Sequence, residues 1–209
     1  MIDKKRLKKE ILKEVANGLS NYGFDKKVYG QSFWKVIDNG RTMIHISFIE
    51  HDNDFDAVIS VSIRFDSLEE MINIDNKLLT SKEKQQTSTL GIELGNLNEG
   101  RQRRLIINEK SNIKCVGEEI LNTIKNVALP YIDKYQSMED ALVMMLRDDP
   151  EVWIFSPLHH KRAMNAIGLA KLLGKDNIKE ISEKKIAFLK SINDYGLNMV
   201  MKFTERVLK

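Results

Sequence analysis

Hydrophobic residues change their spacing along this chain, and each change marks a boundary between kinds of structure. From Asp3 onward, Leu7, Ile11, Leu12, Val15 and Leu19 form one stripe of an α-helix. Asp3 is placed to cap that helix, and the opposite face carries Lys4, Lys5, Lys8, Lys9 and Lys13. Gly23 supplies a left-handed C-cap after Tyr22, with Phe24 folding back as its hydrophobic contact.

The period then shortens to two. Gln31 to Ile37 is rich in aromatic and β-branched residues, and Asp38-Asn39-Gly40 predicts a tight hairpin turn of type I′. Thr42, Ile44, Ile46 and Phe48 alternate with Met43, His45 and Ser47. After a second turn at Asp52-Asn53-Asp54, Ala57, Ile59, Val61, Ile63 and Phe65 alternate with more polar neighbours. Such alternation gives a sheet with one buried and one wetter face. A short helix over 67–79 is predicted next, capped by Ser67 with Glu70 three residues on, and then a polar loop over 80–88. Thr89–Leu97 and Arg101–Asn108 read as a second hairpin across Asn98-Glu99-Gly100, for about five antiparallel strands in all.

From about Ser111 the spacing is helical again. Ile113, Val116, Ile120, Leu121, Ile124 and Val127 form a stripe that Pro130 is expected to interrupt. Ser137 opens a helix to Arg147, Asp149-Pro150 breaks the chain, and a helix over Lys161–Leu173 ends at Gly174. Asn177 with Glu180 caps a long last helix, kinked at Gly196. The helices on either side of Gly174 make a helical hairpin with no second copy at a fixed period. The predicted fold class is α+β: an antiparallel sheet of about five strands packed with an N-terminal helix and a helical C-terminal lobe. No Pro/Gly/Ser-rich linker appears, so one domain over 1–209 is expected, sheet-bearing to about 110 and helical over 111–209.

Composition narrows the setting more than the activity. A chain of 209 residues, 42% hydrophobic and 30% charged, has the balance of a water-soluble globular protein. Its single cysteine, Cys115, cannot form an intrachain disulfide, which favours a reducing, cytoplasmic setting. Cys115 falls in apolar helical spacing and is expected to act as a small hydrophobe. The methionines at 144–145 and 199–201 are expected in the core. The basic opening MIDKKRLKKE lacks an apolar run behind it and is not expected to be a signal peptide. No stretch approaches ~18 uninterrupted apolar residues, so no membrane partner is expected. With 33 basic and 30 acidic residues, the net charge of +3 is too slight by itself to indicate nucleic acid.

Two clusters remain as candidates for binding. Arg101, Arg103 and Arg104 form the densest arginine run, and on a strand Arg101 and Arg103 would share a face about 6.6 Å apart, near a phosphate repeat. The plainer reading is a charged strand at a sheet edge. Trp153 precedes His159-His160-Lys161-Arg162 where a helix begins, and a helix N-terminus flanked by cations attracts anions. Adjacent histidines diverge on a helix, so His159 and His160 make a poor metal chelate; the plainer reading has His159 covering a packed junction. The turn around His51 (EHDND) lacks calcium-loop spacing and reads as solvated. No nucleophile elbow, phosphate loop, zinc helix or cysteine pair is present, so no catalytic, metal or cofactor residues are assigned.

The order of motifs resembles one of the bacterial families known only as domains of unknown function. The resemblance spans roughly residues 5–150. It rests on Gly23-Phe24 closing the first helix, Phe33-Trp34 in the meander, and Leu90-Gly91-Ile92-Glu93-Leu94-Gly95-Asn96-Leu97. Leu129-Pro130 at a helix end and Ser137-Met138-Glu139 opening the next complete it. Glu93 departs from that family's pattern, which has an arginine before Ile-Gly-x-Leu. The resemblance implies an α+β fold and no activity. Three functions are then in play. First comes a non-catalytic protein-binding or accessory (immunity-type) module using the C-terminal hairpin. Second is a nucleic-acid-associated protein using Lys4–Lys13, Arg101–Arg104 and Lys161-Arg162. Third is an enzyme of unrecognised type with a pocket near Trp153, His159 and His160.

Overall fold

The structure, a computed structural model, describes residues 3–209. It is an α+β protein with an open, five-stranded antiparallel sheet. In chain order α1 (Lys4–Leu19) leads to β1 (Ser32–Ile37), β2 (Gly40–Glu50) and β3 (Phe55–Phe65). There follow α2 (Asp66–Asn73), α3 (Ser81–Gln86), β4 (Leu90–Glu93), α4 (Leu94–Glu99) and β5 (Leu105–Ile107). The rest is helical: α5 (Ile113–Thr123), α6 (Leu129–Tyr135), α7 (Met138–Leu146), α8 (His159–Leu172), α9 (Ile178–Ser191) and α10 (Leu197–Leu208). Among the described residues no helix is long and apolar enough to cross a membrane.

Two compact units emerge, one comprising residues up to Ile63 with Gly91–Lys134, the other Arg64–Leu90 with Tyr135–Lys209. In the first, α1 buries Leu7, Ile11, Val15, Ala16 and Leu19, close to the stripe that its spacing predicts. The Asp3 carboxylate accepts from the Arg6 N–H, and Gly23 at φ 82° closes the helix while the Phe24 N–H donates to the Leu19 carbonyl. The meander follows its pattern on β2, where Thr42, Ile44 and Ile46 are buried, although Phe48 is only half-buried. β3 departs from it, because Asp56, Val58 and Arg64 are buried as well as Phe55, Ala57, Ile59, Val61 and Ile63, so the expected wetter face is absent over much of that strand. β1 and β2 pair from Ser32↔His45 to Ile37↔Gly40, so Asp38-Asn39 is a two-residue turn. It is not of type I′: Gly40, at φ 154°, is the residue with positive φ there, and Asn39 is not left-handed.

The predicted second hairpin is corrected. β4 and β5 both pair with β3 rather than with each other, and residues 94–99 between them are helical. Glu93 causes the switch. Its carboxylate accepts from the Gly95 and Asn96 N–H groups at 2.8 and 3.0 Å and caps α4, which Gly100 ends at φ 69°. Gly95 is required where it stands, because a Cβ there would lie 2.4 Å from the Arg103 backbone nitrogen. Arg101, Arg103 and Arg104 therefore occupy the connection from α4 to β5, and their presumed strand spacing does not exist.

Smaller departures have equally local reasons. The expected loop over 80–88 contains α3, nucleated by a capping box between Thr80 and Glu83. α2 begins one residue before Ser67, which therefore does not cap it. Pro130 does not stop the helical run after α5. The backbone widens into a π turn over Ile124–Ala128, where the Leu129 N–H reaches the Ile124 carbonyl, and α6 continues with Pro130 in its first turn. α5, expected in the helical C-terminal part, packs along α1 in the first unit. Its Cys115 is exposed, not a packed hydrophobe.

In the second unit α8 is central, packed against α2, α7, α9 and α10, and buried from Ala163 through Ala170. The expected kinked last helix is two helices, broken where Asn193 adopts φ 51° before Gly196. Met144 and Met145 are core residues, whereas Met199 is 52% exposed.

Candidate functional site

The start of α8 gathers three of the residues that the sequence singles out. Arg162 lies in its first turn and is wholly buried. Its Nη1 donates to the Ser156 carbonyl at 2.8 Å, and its Nη2 donates to Asp148 Oδ1 at 3.3 Å and His159 Nδ1 at 2.8 Å. A guanidinium has only donors, so Nδ1 of His159 accepts and the ring proton sits on Nε2. Burial, and then the Arg162 charge, hold the His159 pKa below the ordinary histidine value against weaker upward pulls from Asp194 and Asp148. Trp153 stands edge-on to the His159 ring at 5.0 Å, Phe188 of α9 edge-on at 5.6 Å, and the Trp153 indole N–H donates to the Asp148 carbonyl.

Asp148 is the hub of this cluster, and with Lys185 it escaped the sequence reading. The Lys185 ammonium, 2% exposed, donates to both Asp148 oxygens at 2.9 Å and to the Leu146 carbonyl at 3.0 Å, closing the C-terminal end of α7. Burial lowers the Lys185 pKa, and the Asp148 carboxylate draws it back upward. One carboxylate thus serves two buried cations. His159 presents a donor at Nε2 while Nδ1 is occupied, so the cluster offers no general base at that nitrogen. Its evident work is to pin α7, α8 and α9 together.

His160 points elsewhere, as expected of adjacent residues on a helix. Its Nδ1 lies 3.1 Å from Oδ1 of Asp194, both side chains are buried, and Tyr195 stands edge-on at 4.7 Å. The carboxylate accepts, so Nδ1 carries the proton. A Cβ at Gly196 would fall 2.2 Å from the imidazole Cγ, so the connection between α9 and α10 encloses the ring. Asp194 also accepts from the Gly196 N–H at 2.7 Å, which makes His160 a tie to that connection.

The arginine run is paired with acids. Arg101 lies 3.7 Å from Glu99, Arg103 bonds Glu119 at 2.8 Å and Glu99 at 3.5 Å, and Arg104 bonds Asp56 at 3.4 Å. On α1, Lys8 pairs with Glu50 and Lys4 donates to the His51 carbonyl, while Lys5, Lys9 and Lys13 stay exposed. Among the described residues no group of three or more His, Cys, Asp or Glu is placed to hold a metal.

The second unit also carries an apolar groove of about 280 Å³. α7 forms one wall with Glu139, Leu142, Val143 and Leu146, and the start of α9 with the turn before it forms the other through Lys175, Asn177 and Ile181. Val143 is 65% exposed and Leu146 41%. The four α7 residues stand at i, i+3, i+4 and i+7, the spacing with which one helix meets another. A sequence signal for this groove existed: Ala141–Leu146 is apolar at six successive positions, more than one face of a helix can bury. No family model, no curated protein and no solved structure matches this chain.

Proposed function

We propose that this protein is a non-catalytic, accessory protein-binding module, allied to the bacterial family that its motifs resemble, whose α7–α9 groove receives an amphipathic helix of a partner protein. The observation that carries the reading is the exposed apolar pair Val143 and Leu146, which with the buried side chains of Leu142 and Ile181 lines the groove. An exposed patch rimmed by charge is what a helix-in-groove interface requires. Glu139 on one wall and Lys175 on the other call for a helix with a basic residue on one flank and an acidic residue on the other. The Asp148–Arg162–Lys185 cluster supports the same reading, because it fixes the end of α7 and holds the groove wall in place before binding.

Capture from native lysate by tagged protein, after nuclease treatment, tests this. Val143→Glu puts a charge in the groove at a solvent-facing site, and Ile106→Glu does the same at an exposed position of the first unit. The expected result is a stoichiometric partner retained by the wild type and by Ile106→Glu and lost by Val143→Glu. Equal capture by all three, or loss of the captured material to nuclease, contradicts the proposal. The latter outcome favours the nucleic-acid reading and the exposed lysines of α1.

A further inference from the structure

The first unit has a cleft of a different character, about 420 Å³ in volume and lined mainly by polar groups. Asn98 of α4 lies on one wall; the other is the outer face of α5 and the π turn, with Glu118, Asn122 and Asn126 at successive i, i+4 positions. The carboxamides of Asn98, Asn122 and Asn126 have no hydrogen-bond partner among the described residues, and neither has the Glu118 carboxylate. Arg103, at the cleft edge, is neutralised by Glu119 and Glu99.

We infer that this cleft binds an extended, lysine- or arginine-bearing peptide segment by its main chain. A carboxamide presents a donor and an acceptor side by side, the complement of the C=O and N–H of one residue in an extended chain, which point to the same side. Two carboxamides four residues apart on a helix are separated by about 6 Å along its axis. Peptide groups two residues apart on an extended chain repeat at about 6.6 Å. Asn122 and Asn126 therefore meet alternate residues of a strand running along the helix, and Asn98 meets it from the opposite wall. Glu118 continues the stripe and supplies an unpaired negative charge for a basic side chain. That same carboxylate, beside an arginine already satisfied, opposes phosphate, and no aromatic ring lines the cleft for a sugar or base to stack on. The π turn adds a second, independent mark. It lies within the stripe, contributes Asn126 and Val127 to the lining, and such turns recur at functional sites.

The test is fluorescence anisotropy with a labelled nine-residue peptide of alternating lysine and threonine, at low salt. Three comparisons decide it: the peptide N-methylated at alternate residues, the peptide with glutamate for lysine, and the variants Asn122→Leu/Asn126→Leu and Glu118→Gln. All three substituted residues are exposed, so the melting temperature stays at the wild-type value and losses report binding. The lysine peptide binds saturably. The double variant, which loses both carboxamides, and the N-methylated peptide, which loses the N–H groups they accept from, each weaken binding about tenfold or more. Glu118→Gln reduces the salt dependence, and the glutamate peptide does not bind. Val143→Glu binds the peptide as the wild type does, which separates this site from the groove of the second unit. No saturable binding below about 1 mM, or equal binding by the double variant or the N-methylated peptide, overturns the inference.

Discussion

Replacing Asp148 by asparagine tests the physical account of the second unit at its most sensitive point. The substitution keeps shape and removes the one charge that Arg162 and Lys185 share. Arg162 is wholly buried and Lys185 2% exposed, so neither cation can recover its counter-charge from water without movement. Removing one partner of a buried ion pair costs about 3–5 kcal/mol. The lower end applies, near 3 kcal/mol, for two reasons given by geometry. Arg162 keeps the Ser156 carbonyl and Lys185 keeps the Leu146 carbonyl, and the Asp148 side chain is itself 27% exposed. The assay is urea unfolding followed by tryptophan fluorescence in a Trp34→Phe background. Trp34 belongs to the first unit, so the signal then comes from Trp153, whose indole contacts the Asp148 carbonyl. Adding Lys185→Met to Asp148→Asn removes the stranded ammonium and recovers about 1–2 kcal/mol. A cost for Asp148→Asn below about 1 kcal/mol, or no recovery in the double variant, would refute a buried, unscreened cluster.

Two further outcomes follow from single contacts. His159 has its folded pKa held below the usual 6.5, so the unfolded chain binds more protons there and stability falls as pH drops through about 6.5. His159→Gln loses less stability than the wild type between about pH 7 and pH 5 in the same unfolding assay, and parallel curves would contradict the shift. Gly95→Ala drives a Cβ into the backbone at Arg101 and Arg103, which cannot yield as a flexible side chain would. A loss of about 1–3 kcal/mol is expected by thermal melting of the first unit, and a neutral result would mean that the α4–β5 connection relaxes freely.

Where one period dominates a segment, the fold was legible. The stripe from Leu7 to Leu19 and the alternation from Thr42 to Ile46 bury most of what their spacing says, whereas β3 also buries Val58 and Arg64 on the face expected to be wetter. The misreadings arise where a single side chain outweighs the pattern. Leu90, Ile92 and Leu94 alternate as a strand would, yet the Glu93 carboxylate caps the backbone two and three residues on and begins a helix. Thr80 and Glu83 do the same within a stretch too polar to show any hydrophobic period. Pro130 carries the signal of a stop, but a π turn absorbs its missing N–H.

The candidate site was legible only in part. Trp153, His159 and Arg162 could be read as neighbours in the chain, but their hub Asp148 and its second cation Lys185 are remote from them in sequence. Nothing in the run Glu183-Lys184-Lys185 distinguishes the buried lysine from its exposed neighbour, since burial is decided by how α9 packs on α7 and α8. Arg101, Arg103 and Arg104 read as a concentration of charge because Glu99, Glu119 and Asp56 reach them only through the fold.

Site-specific photocrosslinking in living cells tests the central claim most directly. A benzophenone amino acid replaces Val143 in the groove, and in a parallel strain it replaces Ile106 in the first unit. The account predicts one discrete protein adduct from position 143, absent at position 106 and suppressed when Ile181 is changed to aspartate. The same adducts from both positions, or none from position 143, would contradict the groove as the protein's binding site.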